Sequence, residues 1–120
     1  MFSAKPTFRQ RPKDMIVNEG QKAKLRCSAV GKPSTTIFWQ GKGAYPMFAN
    51  QYYSNKRIHV TRSGDLEIFV VNKEDEGAYK CVAVNPVGNI QAKAELTVIG
   101  ECKVKNALLS FNPLTPGNSY

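Results

Sequence analysis

The sequence predicts an all-β chain, folded as an antiparallel sandwich or barrel. Three observations carry the prediction. Several segments alternate polar and apolar residues at a period of two, no segment sustains a helical period, and Gly-, Asn- and Pro-containing turns separate the segments at short intervals.

The elements follow in order. Two early pieces, around Thr7-Phe8 and Met15-Ile16-Val17, read as a split first strand ahead of the Asn18-Glu19-Gly20 turn. Lys22 to Ala29 alternates strictly, placing Ala23, Leu25, Cys27 and Ala29 on one face. Thr35 to Gln40 is β-branched and aromatic, as suits a pleated, half-buried surface. Arg57 to Thr61 alternates again with Ile58 and Val60 inward, and Ser63-Gly64-Asp65 supplies a tight turn into Leu66 to Val71. Gly77 to Val84 places Tyr79, Cys81 and Ala83 on one side. After the Asn85-Pro86-Val87-Gly88 turn, Ala92, Ala94, Leu96 and Val98 line one face of a last strand. Gly41 to Lys56 reads as loop, with room for one short edge strand. The domain is expected to occupy residues 6–100, after a flexible stretch at 1–5. Residues 101–120, with Pro113, Pro116, Gly117 and three asparagines, are expected to form a disordered tail or linker.

Composition narrows the function classes. The chain has 120 residues, 17 basic against 9 acidic side chains and a formal net charge of +8. That length suits one domain with an adequate core. Apolar runs such as Ile68 to Val71 fall far short of the roughly 18 residues of a membrane span. The first residues, Met1 to Pro6, lack the apolar stretch of a secretory signal, so any signal is expected to have been removed or to lie outside this piece. A large enzyme, a transporter and a disulfide-dense miniprotein are all disfavoured. The charge is uneven: Met1 to Arg62 holds twelve Lys and Arg against Asp14 and Glu19, whereas Ser63 to Tyr120 holds five against seven acids. Such asymmetry points to a basic face and an anionic partner.

Cys27 and Cys81 both fall at inward strand positions, and Trp39, twelve residues after the first cysteine, is inward too. Asp75 to Cys81 reads D-x-G-x-Y-x-C. Together these residues resemble an immunoglobulin domain over about residues 6–100. The resemblance implies a two-sheet antiparallel sandwich with Greek-key connections and a Cys27–Cys81 disulfide. It also implies Trp39 packed on that bridge, a Tyr79 corner and an Asp75–Arg57 pair. The disulfide would close a loop of about 55 residues, worth roughly 4 kcal/mol by chain entropy. All of these residues are expected to serve folding. The split first strand, the short middle connection and Asn85-Pro86-Val87-Gly88 resemble the I-set type. Within it, Ile37 to Gln40, Met47 to Gln51, Lys56 to Val60 and Ser63 to Leu66 are similar to the fourth immunoglobulin domain of Roundabout-type axon-guidance receptors. Gly41-Lys42-Gly43-Ala44 and the tail depart from that likeness.

Two surfaces are candidates for binding. Lys22, Lys24 and Arg26 are expected to project from the outer face of one sheet, with His59 on the same face and Glu67 partly offsetting them. Three cations at alternate strand positions span about 13 Å, a match for heparan sulfate. Phe38 is expected outward on the other sheet beside Val82, with Tyr45, Met47, Phe48, Tyr52 and Tyr53 close by. Exposed aromatics and methionine are enriched in protein–protein contacts, so a protein partner, including a second copy of the chain, is expected there. Nothing resembles a nucleic-acid-binding motif, and no amphipathic helix suggests membrane attachment.

Catalysis, metal and cofactor sites have little support. His59 is the one histidine, placed on an exposed strand face without an evident nucleophile, and two cysteines are committed to the core. Cys102 is the leftover thiol, and no Asn-x-Ser/Thr sequon occurs. The expected function is a non-catalytic extracellular module of a cell-surface adhesion or axon-guidance receptor. The alternative is an intracellular structural domain of a muscle-type filament protein.

Overall fold

Strand alternation becomes two facing sheets in the computed structural model, which describes residues 2–41, 46–54 and 56–100. The strands are β1 Ala4–Gln10, β2 Met15–Asn18, β3 Ala23–Leu25, β4 Ser28–Lys32, β5 Thr36–Gln40, β6 Met47–Phe48, β7 Gln51–Tyr53, β8 Ile58–Val60, β9 Leu66–Ile68, β10 Gly77–Asn85 and β11 Gly88–Ile99. One sheet runs β2-β11-β10-β5-β6 and the other β3-β9-β8-β7, while β1 pairs with β4 beyond the end of β3. The neighbours β5 and β10 are separated in the chain by four strands, the crossing that a Greek key requires. No helix among the described residues is long and apolar enough to cross a membrane.

Burial follows the predicted parity. Ala23, Leu25 and Cys27 from one sheet meet Ile37, Trp39, Cys81 and Ala83 from the other, in a core that also includes Leu66, Ile68, Leu96 and Val98. Cys27 and Cys81 form a disulfide across the sheets, and both are fully buried together with Trp39.

Several expectations are corrected. β1 begins at Ala4, which pairs with Lys32, so Ala4 and Lys5 lie in a strand rather than a flexible end. The pairing is not wholly antiparallel, because β2 runs parallel to β11 with Leu96 opposite Met15. The first strand has changed sheets by then and joins β11 running in the same direction. Lys22 to Ala29 is not one strand: regular pairing lapses at Arg26-Cys27, where the Cys27 N–H turns to Asp65 Oδ1 at 3.0 Å. The segment Gly41 to Lys56 contributes two short strands to different sheets, β6 beside β5 and β7 beside β8. Tyr45, Cys102 and the 101–120 segment lie outside the described residues.

Candidate functional site

An inner constellation of Arg57, Asp75 and Tyr79 ties the start of β8 to the turn that leads into β10. Arg57 donates two hydrogen bonds to Asp75, at 2.8 and 3.0 Å, and Asp75 also accepts from the Asn72 N–H. This bidentate pair raises the Arg57 guanidinium above its ordinary value, against the opposing effect of burial. Tyr79 donates its hydroxyl to the Asp75 carbonyl at 2.6 Å, closing the tyrosine corner. Burial, aided by the Asp75 charge and opposed by Arg57, pushes the phenol up to about 12. Arg57 and Asp75 neutralise one another, and the Tyr79 hydroxyl is satisfied by the Asp75 carbonyl.

The outer face of β3, β9, β8 and β7 carries the predicted basic row, but the sheet register changes its character. Lys24 and His59 both lie opposite Glu67, one from β3 and one from β8. Glu67 approaches Lys22 at 3.6 Å, Lys24 at 3.6 Å and His59 Nδ1 at 3.4 Å, while Lys24 also reaches Asp65 at 3.9 Å. One carboxylate thus sits among three of the four residues expected to attract an anion. The Tyr52 ring stacks on His59 at 4.1 Å, Phe69 lies 6.4 Å beyond, and Lys22 caps Phe69 at 5.4 Å. Sequence reasoning did not place Tyr52 and Phe69 here. The available signal was alternation from Glu67 to Phe69; Tyr52 gave none, since its strand was hidden in an apparent loop. Arg26 stands apart from this cluster, near Arg11 and Lys13.

The outer face of the other sheet holds the apolar candidates. Phe38 lies between Val82 on β10 and Phe48 on β6, and the two phenyl rings are 5.3 Å apart. Phe48 is 44% exposed, which makes it the projecting group of the patch. Val82 is only 5% exposed, so it forms the floor and not a contact surface. Met47 is a clearer correction: it stands opposite Trp39 and packs against the core. A two-residue strand with Phe48 outward must turn its neighbour inward. Tyr53, also expected on this surface, packs on the core from β7 and accepts the Phe48 N–H at 2.7 Å through its hydroxyl.

A residue that alternation alone did not single out holds one end of the domain. Buried Asn85 donates to the carbonyls of Ala4 and Pro33, both at 2.9 Å, and accepts from the N–H groups of Val87 and Gly88. The Asn85-Pro86-Val87-Gly88 turn was visible in sequence, but its link to β1 was not. No group of three or more His, Cys, Asp or Glu suited to a metal ion occurs among the described residues.

Two sheets, a buried bridge beneath a tryptophan and a tyrosine corner define an immunoglobulin-type sandwich. The chain belongs to the immunoglobulin I-set domain family, whose profile matches residues 6–98. It is 39% identical over 97 residues to human Roundabout homolog 2, a match covering 79% of this chain and 7% of that protein. It is likewise 39% identical over 95 residues to human leucine-rich repeats and immunoglobulin-like domains protein 3, covering 78% and 8%. The chain therefore spans less than a tenth of either relative's length. Among solved structures it is similar to the complex of titin M10 with an obscurin-like 1 Ig domain. That likeness has a TM-score of 0.72 and 26% identity, and covers 82% of this chain and 98% of that one.

Proposed function

We propose that this chain is a non-catalytic extracellular binding module of a cell-surface adhesion or axon-guidance receptor, acting through protein–protein contact. The observation that carries the reading is the buried Cys27–Cys81 bridge, since such bonds form and persist in oxidising compartments. The identity with Roundabout homolog 2 supports the same reading. The contact surface is the Phe38–Phe48 patch, where the exposed Phe48 ring lies against Phe38, which in turn stands beside the buried Val82. Self-association through this patch is the simplest form, because a projecting Phe48 beside the partly exposed Phe38 can meet the same pair of rings from a second copy.

The similarity to a titin-containing complex favours a second reading, an intracellular structural domain. A thiol count on natively recovered protein separates the two. One reactive thiol among the three cysteines supports the extracellular module; three reactive thiols overturn it. Sedimentation of the Cys102→Ser protein over a concentration series tests the patch. Dimerisation that Phe48→Asp abolishes supports it, and a monomer at every concentration overturns self-association.

Heparan sulfate binding by the basic face belongs to the same proposal. The Lys22, Lys24 and His59 portion is the weaker part, because Glu67 already engages those side chains.

A further inference from the structure

Strands β1 and β2 belong to different sheets, so the chain crosses the side of the sandwich between Gln10 and Met15. Pro12 is buried in the middle of that crossing, and its neighbours Arg11 and Lys13 are both exposed. The crossing also takes a neighbour away from β3. β1 pairs with β4, while β3 pairs with β9 alone among the described residues. An open groove of about 250 Å³ remains, bounded on one side by Arg11, Lys13 and Asp14 and on the other by Lys24 and Arg26.

The charges around this groove are not balanced. Asp14, the one carboxylate in the lining, accepts the Glu95 N–H at 2.8 Å, against four lysine and arginine side chains. Lys24 is drawn towards Asp65 and Glu67. Arg11 lies over the Phe8 ring at 5.1 Å, which steadies the guanidinium without neutralising it. Lys13 and Arg26 form no ion pair among the described residues. Three cations without a carboxylate ion-pair partner among the described residues therefore stand on two walls of one concavity.

We infer that this groove holds the sulfate groups of a sulfated glycosaminoglycan, with Arg11, Lys13 and Arg26 as the anion-binding side chains. The inference rests on the extracellular reading above and moves the polyanion site away from the row held by Glu67. Guanidinium groups match the oxygens of sulfate with paired hydrogen bonds, and a lysine adds a mobile point charge. A groove this small and open takes a charged substituent and leaves the sugar backbone outside, as a linear polymer requires. Nucleic acid fits less well, because no aromatic ring is among the residues that line the groove, so a base finds no face to stack on.

Calorimetric titration of the 120-residue chain with a heparin-derived hexasaccharide at physiological salt tests the inference. Combined Arg11→Ser, Lys13→Ser and Arg26→Ser substitution is expected to weaken binding at least tenfold. A charge-matched Lys5→Ser, Lys56→Ser and Lys93→Ser protein is expected to change it less than threefold. All six side chains are exposed, so thermal midpoints should match the parent and report intact folds. Equal weakening by both triple variants overturns the site, because diffuse net charge then explains the binding. Absence of hexasaccharide binding also overturns it, as does tighter binding to phosphatidylserine vesicles or a single-stranded oligonucleotide. Equal weakening in protein that retains its disulfide defeats the groove alone and leaves the receptor reading standing.

Discussion

Trp39 Nε1 donates a 2.7 Å hydrogen bond to the carbonyl oxygen of Gly64, joining a central strand of one sheet to the β8–β9 turn of the other. Both residues are buried, so this indole N–H has a partner where water is excluded. The turn can bring its carbonyl there because Gly64 adopts a φ of 109°. A Cβ at that position would lie 2.8 Å from the Cys27 carbonyl oxygen and 3.1 Å from Ile37. The bond and the disulfide thus brace neighbouring points of one inter-sheet contact.

This relationship gives the first prediction. Trp39→Phe leaves the Gly64 carbonyl unpaired and opens space, and should cost about 2–4 kcal/mol. Gly64→Ala forces a side chain into left-handed backbone against Cys27, and should cost about 2 kcal/mol or more. Urea unfolding with unchanged m-values reads both. A loss below half a kcal/mol in either variant would show that the bond contributes little.

The second concerns alkaline stability. The Tyr79 phenol is held at about 12 in the folded chain, against about 10 in an unfolded one. The stabilisation this represents is fully present below pH 10 and is lost as pH rises towards 12, because the unfolded chain ionises first. Its full size is on the order of 2–3 kcal/mol. Tyr79→Phe should lower stability at neutral pH by about 1–2 kcal/mol through the lost bond to Asp75. It should also flatten the decline between pH 10 and 12, as followed by denaturant titration at each pH.

A third prediction addresses the bridge. Cys27 and Cys81 are separated by 54 positions, so replacing both by Ala should lower stability by about 4 kcal/mol through the freed chain entropy of the unfolded state. The fall should appear as a lower denaturation midpoint. Cys102→Ser should leave that midpoint unchanged.

The fourth tests the carboxylate among the cations. Glu67→Gln removes the shared partner of Lys22, Lys24 and His59. The chain should then elute from heparin resin at higher salt, with stability altered by less than about 1 kcal/mol because the two lysine pairs are solvent-screened. Unchanged elution would mean that the Lys22–Lys24 row faces no anion even when released.

The core elements were legible for a simple reason. Ala23, Leu25, Cys27, Tyr79, Cys81 and Leu96 carry their burial in the alternation of their own strands, and the D-x-G-x-Y-x-C run marks the corner. Met47 and Tyr52 were not legible, because two- and three-residue strands contain too few positions to display a period. Their faces are assigned by what they pair with: Trp39 draws Met47 inward, and His59 takes Tyr52 to the opposite sheet. Val82 misled for a related reason. Its position is outward, yet Phe38 sits directly across from it on the neighbouring strand, and Val82 is nearly covered.

The amino-acid order alone determined an all-β sandwich or barrel and most of its core residues, since period-two burial is a local property of a strand, while the sandwich and the Cys27–Cys81 bridge followed from the immunoglobulin resemblance of the cysteine, tryptophan and tyrosine pattern. It also determined that positive charge accumulates in the first half of the chain. Tertiary structure decided which of those charges remain available. Cross-strand register brings Glu67 among Lys22, Lys24 and His59, while the crossing at Pro12 sets Arg11 and Lys13 against Arg26. Ion pairing falls off within a few ångströms, so it depends on which strands lie side by side, and these residues are far apart in the chain.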